Sequence, residues 1–139
     1  MTFAVHICTA QICAALIAAM LLTSCQKDET VTGYGAAGNT WVLQSLDGQA
    51  FAARAELTFP EPGKISGQAS CNRFHSTQTA PYPWFKPGLI VATKMACPAL
   101  SAETAFLAAL GDMTLVEVAG DTLILSNDAG RQMVFKSGT

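Results

Sequence analysis

Residues 114–136, TLVEVAGDTLILSNDAGRQMVFK, decide the fold class. Three short apolar runs, Thr114 to Val118, Thr122 to Ser126 and Gln132 to Lys136, are separated by Ala119-Gly120-Asp121 and Asn127-Asp128-Ala129-Gly130. Gly, Asn and Asp supply the backbone geometry of tight turns, and short apolar runs between them suit pleated strands. The stretch reads as an antiparallel meander of three strands.

The same pattern extends upstream. Trp41 to Leu46 forms a first strand closed by Asp47-Gly48, a hairpin signal. Ala55, Leu57 and Phe59 alternate with Glu56 and Thr58, which puts one face on a core and one toward water, until Pro60 and Pro62-Gly63 end the strand. Ile65 to Ala69 is a short third strand in which Gly67 marks a bulge or a close backbone approach. In His75 to Pro87, Pro81, Pro83 and Pro87 remove three ladder donors, so only a loop or a sheet edge is expected. Leu89 to Met95, with Ile90, Val91 and Thr93, resumes as a strand.

One segment has helical character. Ser101 to Leu110 opens on a capping residue, carries Glu103 near its positive end, places Phe106, Leu107 and Leu110 on one face and stops at Gly111. About seven strands with one short helix predict an α+β, mainly antiparallel β domain. Its sheet is a curled sheet or partly open barrel, with the helix plugging or covering one opening, and closure would also protect edge strands.

The chain's first 25 residues read differently, because all eight Lys and Arg and all ten Asp and Glu lie beyond Cys25. Ile12 to Leu22 is an apolar block of eleven residues, whereas a membrane-spanning helix takes about twenty. A signal-peptide core fits that length. Leu22-Thr23-Ser24-Cys25 follows it and resembles the lipobox of bacterial lipoproteins, which implies removal of residues 1–24 and acylation of Cys25. Met1 to Val5 lacks the usual basic start. Two other readings stay open: Val5 to Leu22 kept as an uncleaved anchor, or cleavage near Ala14, Ala15, Ala18 or Ala19 that releases a soluble protein. Lipoprotein sorting adds that Gln26, unlike Asp, is no inner-membrane retention signal, so attachment to the outer membrane facing the periplasm is expected.

Removing 24 of 139 residues leaves 115, enough for one domain. Net charge is −2 and scattered, with no basic cluster to follow a phosphate backbone, so nucleic acid is excluded as a partner. Gln26 to Gly38, with Lys27, Asp28, Glu29 and three Gly, reads as a flexible tether from the lipidated Cys25, placing the folded domain at 39–139. Cys8 and Cys13 leave with the signal peptide, and Cys71 and Cys97 remain. In an oxidising envelope they pair as a structural disulfide, free thiols being the alternative. His75 is the one mature histidine and no CxxC is present, so no metal or cofactor is expected.

Gly67-Gln68-Ala69-Ser70-Cys71-Asn72-Arg73-Phe74, then Thr93-Lys94-Met95-Ala96-Cys97-Pro98, Glu103 and Phe106, resemble the META domain, or HslJ-like, family. The resemblance covers Asn39 to Lys136. It implies a small bacterial envelope protein, often a lipoprotein, associated with heat shock, novobiocin resistance or motility and not known for catalysis. Three departures stand out: Ser70 where Gly commonly precedes the first motif cysteine, His75-Ser76-Thr77 where a Gly follows the motif, and Pro81 to Pro87 in place of a plainer hairpin.

Asn72 reads as a turn former after the cysteine, since Asn tolerates left-handed backbone. For Arg73 three roles are open: capping carbonyls, pairing with Glu103, or presenting a guanidinium to a carboxylate ligand. Phe74 is expected in the core. Thr93 and Lys94 are placed on a solvated strand face, with Met95 entering the core.

No catalytic residues emerge. No acidic cluster surrounds His75, there is no G-x-S-x-G elbow, and Gly33, Gly35 and Gly38 precede no phosphate-binding helix. The segment with a functional look is Tyr82-Pro83-Trp84-Phe85, whose aromatics either contact a partner or fold back to close the barrel end. The sequence thus points to a non-enzymatic, lipid-anchored structural, stress-response or partner-binding module, its partner an envelope protein, a glycan or a small apolar ligand. A periplasmic carrier, with a cavity lined by Leu57, Phe59, Ile90, Phe106 and Leu123, is the alternative, and a secreted hydrolase or protease inhibitor ranks third.

Overall fold

A computed structural model describes residues 27–138. Cys25 and the expected signal peptide, residues 1–24, lie outside that range. Nine strands form one antiparallel sheet: β1 Thr40–Leu46, β2 Gln49–Ala50, β3 Ala55–Thr58, β4 Lys64–Ala69, β5 Asn72–Thr77, β6 Val91–Ala92, β7 Leu115–Ala119, β8 Thr122–Ser126 and β9 Gln132–Gly138. They run in the order β6-β5-β4-β3-β1-β9-β8-β7, with β2 paired beside β1. The chain is α+β, and its sheet is not closed, because edge strands β6 and β7 do not pair.

Alternation decides which face is buried. Trp41 and Leu43 of β1, Ala55 and Leu57 of β3, Phe74 of β5, Leu123 and Leu125 of β8, and Met133 and Phe135 of β9 all enter one core. The C-terminal meander pairs as its turn residues dictate, Glu117 opposite Ile124 and Ile124 opposite Val134. A bulge between Leu43 and Ser45 shifts the β1–β9 register and leaves Gln44 as the extra residue. Asp47 and Gly48 both take positive φ, the geometry of a type I′ hairpin. The Asp47 carboxylate accepts Gln132 N–H and pairs with Arg131, and these two contacts hold it below the usual carboxylate range.

Helix α1, Leu100–Asp112, joins one edge of the sheet to the other and crosses the open side between β6 and β7. It buries Phe106, Ala109 and Leu110 against the sheet, with the Phe106 ring edge-on to Phe74 at 5.6 Å. Its boundaries differ from expectation. Ala99, not Ser101, stands at the N-cap without a side-chain cap bond, and the helix passes through Gly111 to Asp112. Ser101 already lies inside the first turn, and Glu103 is engaged elsewhere.

Four further corrections concern strands and tether. The count is nine rather than seven, because β2 and β5 are additional. His75-Ser76-Thr77 belongs to β5, whose inward side chains Asn72, Phe74 and Ser76 are buried. Leu89 to Met95 shrinks to the two residues of β6, since Asn72 draws the backbone of Met95 out of strand geometry. The described part of Gln26 to Gly38 is not a tether: Val31 and Ala36 are fully buried, a 3-10 turn spans Val31–Tyr34, and Trp41 Nε1 donates to the Ala36 carbonyl at 2.9 Å. Gly33 in this stretch serves tight packing, because a Cβ there would overlap the Asp28 carbonyl oxygen.

Candidate functional site

The family-like motifs converge on one buried polar node. β4 turns into β5 through Ser70 and Cys71, with Ser70 in the left-handed region at φ 60°, the geometry that favours Gly at this position. Cys71 and Cys97 form a disulfide with their Cα atoms 5.9 Å apart, tying this hairpin to the segment entering α1. From α1, Glu103 reaches beneath the hairpin. Its carboxylate accepts Cys71 N–H at 2.8 Å, Asn72 N–H at 2.7 Å and Asn72 Nδ2 at 2.6 Å, while the residue stays 96% buried.

Asn72 is the centre of this node rather than a turn former. Its Oδ1 accepts Thr93 Oγ1 at 2.8 Å and Met95 N–H at 2.6 Å, and its Nδ2 donates to the Met95 carbonyl at 3.0 Å as well as to Glu103. An amide side chain offers two donors and two acceptor sites. All four are used, so Asn72 has no capacity left for a ligand. Buried polar groups need this complete pairing, since an unpaired one costs about 1–3 kcal/mol.

The neighbours divide between frame and surface. Phe74 is buried in the core, and Thr93 binds Asn72. Arg73 is exposed and does not pair with Glu103, whose two oxygens are committed to the hairpin; the outward parity of Arg73 on β5 carries it away from the helix. Lys94 is exposed, and Met95 does not enter the core: its backbone serves Asn72 while its side chain is 62% exposed. Gly67 marks a close approach, because a Cβ there would overlap the Glu56 carbonyl oxygen.

The Pro-aromatic segment splits between the two readings offered by the sequence. Phe85 is buried and plugs the core, so it is not a contact residue, whereas Trp84 is 58% exposed. Tyr82 is half-buried and stacked on Tyr34 with ring centroids 4.4 Å apart. Backbone bonds fix the segment to β7, with Phe85 N–H donating to the Thr114 carbonyl at 2.8 Å and Val116 N–H to the Pro83 carbonyl at 2.9 Å. Gln78, buried and unanticipated, clamps it from the β5 side. Its Nε2 donates to the Trp84 carbonyl at 3.0 Å and its Oε1 accepts Lys86 N–H at 2.7 Å. The signal for Gln78 was its parity, since it continues the inward series of Asn72, Phe74 and Ser76.

The expected cavity residues are core fill. Leu57, Phe106 and Leu123 have no exposure and Phe59 almost none, and Ile90 packs against the same cluster. A depression of about 460 Å³ lies elsewhere, open at the surface beside Pro60, Lys64, Ile65, His75 and Leu89. Among the described residues no group of three or more His, Cys, Asp or Glu is placed to hold a metal, and no helix is long and apolar enough to cross a membrane.

The curled sheet, crossing helix and disulfide-linked polar node define a small α+β domain of one architectural class. The chain belongs to the META domain family, whose model matches residues 35–138. It is similar to a protein from Burkholderia xenovorans solved by NMR, with 25% identity, a TM-score of 0.62, and 78% of this chain and 88% of that one covered. A crystallised DUF4847 family protein from Bacteroides vulgatus ATCC 8482 shares the fold at 14% identity, a TM-score of 0.59, and 76% and 96% coverage. No curated protein matches the chain.

Proposed function

We propose that this chain is a non-enzymatic lipoprotein of the bacterial cell envelope, held on the outer membrane by an acylated Cys25 and acting as a structural or partner-binding META module in the stress response of the envelope. The observation that carries the reading is the Cys71–Cys97 disulfide, which suits an oxidising compartment and leaves Cys25 as the unpaired cysteine of the processed chain. The full pairing of Asn72, with both Glu103 oxygens bonded to the hairpin, supports a non-catalytic role, because these buried polar groups are engaged in holding the fold. The filled core at Leu57, Phe106 and Leu123 weighs against the carrier alternative.

The test is the chemistry of the mature N-terminus. Protein purified from membranes of a cell that expresses the full chain is expected to begin at Cys25, carry diacylglyceryl and acyl mass, and partition into detergent. The Cys25→Ala variant is expected to lose that mass and the new N-terminus. A mature chain starting elsewhere without acyl mass would overturn the anchor.

A further inference from the structure

We propose that the face built by Trp84, Tyr34, Tyr82 and Lys27 lies against the bilayer that holds the anchor, so that the domain sits on the membrane rather than swinging from it. The inference rests on acylation of Cys25 and adds the surface that meets the lipid. Its first support is chain length. Only Gln26 separates Cys25 from Lys27, so the two Cα atoms are at most about 7 Å apart even when fully extended.

From Lys27 onward the chain is tied to the fold. The Asp28 carboxylate accepts Thr30 N–H at 2.9 Å, and Lys27 Nζ stands 5.7 Å from the centre of the Tyr34 ring. Tyr82 N–H donates to the Glu29 carbonyl at 2.7 Å, which joins the chain's entry to the Pro-aromatic segment. Trp84 follows two residues on, in a turn closed by its own N–H to the Pro81 carbonyl at 2.8 Å. The acyl chains therefore enter the membrane within a few residues of the exposed Trp84 and the 41% exposed Tyr34. A domain tied this short stays close to the bilayer, and the residues nearest the tie are the first to reach its surface.

Their chemistry fits the headgroup zone. Tyr and Trp combine an apolar ring with a polar tip and concentrate at membrane interfaces, and a lysine stem lies along apolar surface while its ammonium meets phosphate. The backbone of Trp84 is already used to bridge Leu115 of β7, so the fold fixes the place from which this indole projects without needing it for burial.

The two tryptophans make the test direct, because Trp41 is fully buried and Trp84 is exposed. Full-length protein isolated from membranes is reconstituted in vesicles of phosphatidylethanolamine and phosphatidylglycerol, with and without bromine on the acyl chains near the headgroup. We expect loss of the Trp84 share of the emission in brominated vesicles, and no loss in Trp84→Phe, which reports Trp41 alone. Acyl mass present with Trp84 unquenched would overturn this inference and leave the anchor standing. Acyl mass absent would remove both, and quenching of Trp41 to the same extent as Trp84 would refute a face-on domain.

Discussion

Replacing Asn72 by Asp changes one atom type and tests the polar node from inside. The variant keeps the two hydrogen bonds that Oδ1 accepts from Thr93 and Met95, and it loses the two that Nδ2 donates, to the Met95 carbonyl and to Glu103. It also sets a second carboxylate 2.6 Å from Glu103 Oε1. At an effective dielectric near 20, two unit charges at that separation repel by about 6 kcal/mol, so the pair takes up one proton instead. Holding that proton at pH 7 costs about 1.4 kcal/mol for each of roughly three pH units above an ordinary Asp, or about 4 kcal/mol. The lost bond to Met95 adds about 1 kcal/mol. The expected destabilisation at pH 7 is therefore about 5 kcal/mol, a large part of the roughly 5–15 kcal/mol that folds a domain.

The sign of the pH dependence is fixed by the same geometry. The introduced carboxyl binds its proton more tightly folded than unfolded, so its share of stability is complete below about pH 4 and falls as pH rises toward the folded value. Relative to the parent, Asn72→Asp should be weaker by about 5 kcal/mol at pH 7 and by only about 1 kcal/mol at pH 4. Urea unfolding followed by tryptophan fluorescence at both pH values measures this, with Trp41 reporting the core. A deficit below about 1 kcal/mol at pH 7, or one that does not change with pH, would refute the saturated node.

Three other substitutions probe the elements around it. Ser70→Gly should raise stability by about 1 kcal/mol, because it relieves a left-handed residue and removes a buried hydroxyl that has no hydrogen-bond partner; a fall in the denaturation midpoint would show that the hydroxyl has a role. Phe85→Ala should cost about 3–5 kcal/mol as a fully buried ring is lost, whereas Trp84→Ala should stay within about 1 kcal/mol of the parent. Equal losses in thermal unfolding would mean that the segment does not split between core and surface.

The strands of the meander were legible because each is a short apolar run between strong turn residues, and the strand of Ala55, Leu57 and Phe59 because these alternate with polar neighbours. β5 was not, because its inward series begins with Asn72 and continues with Ser76 and Gln78, polar residues that an apolar pattern passes over. Their burial is possible only because partners distant in sequence satisfy them, Glu103 lying 31 residues from Asn72. The helix start was misread for a related reason. A Glu in the first turn usually serves its own helix, but this one turns to the hairpin and leaves Ala99 uncapped. The tether was misread because small residues and charges look alike in a flexible linker and in a segment pressed on a core; Val31 and Ala36 are too few to mark the difference.

These placements separate what the fold consumes from what it leaves over. Asn72, Thr93, Glu103 and Gln78 spend their polar atoms on one another and on backbone, and Phe74 and Phe85 spend their rings on the core. Their identities are thus accounted for by stability. Trp84 is different, because its structural duty is a backbone bridge to Leu115 that most residues could form, while its large apolar side chain remains in solvent beside the point where the chain enters the fold. With its backbone held by Pro81 and Gln78, Trp84 loses little main-chain entropy on meeting a partner surface. Under the proposed membrane contact, Trp84 is therefore the side chain whose identity binding, rather than stability, would account for.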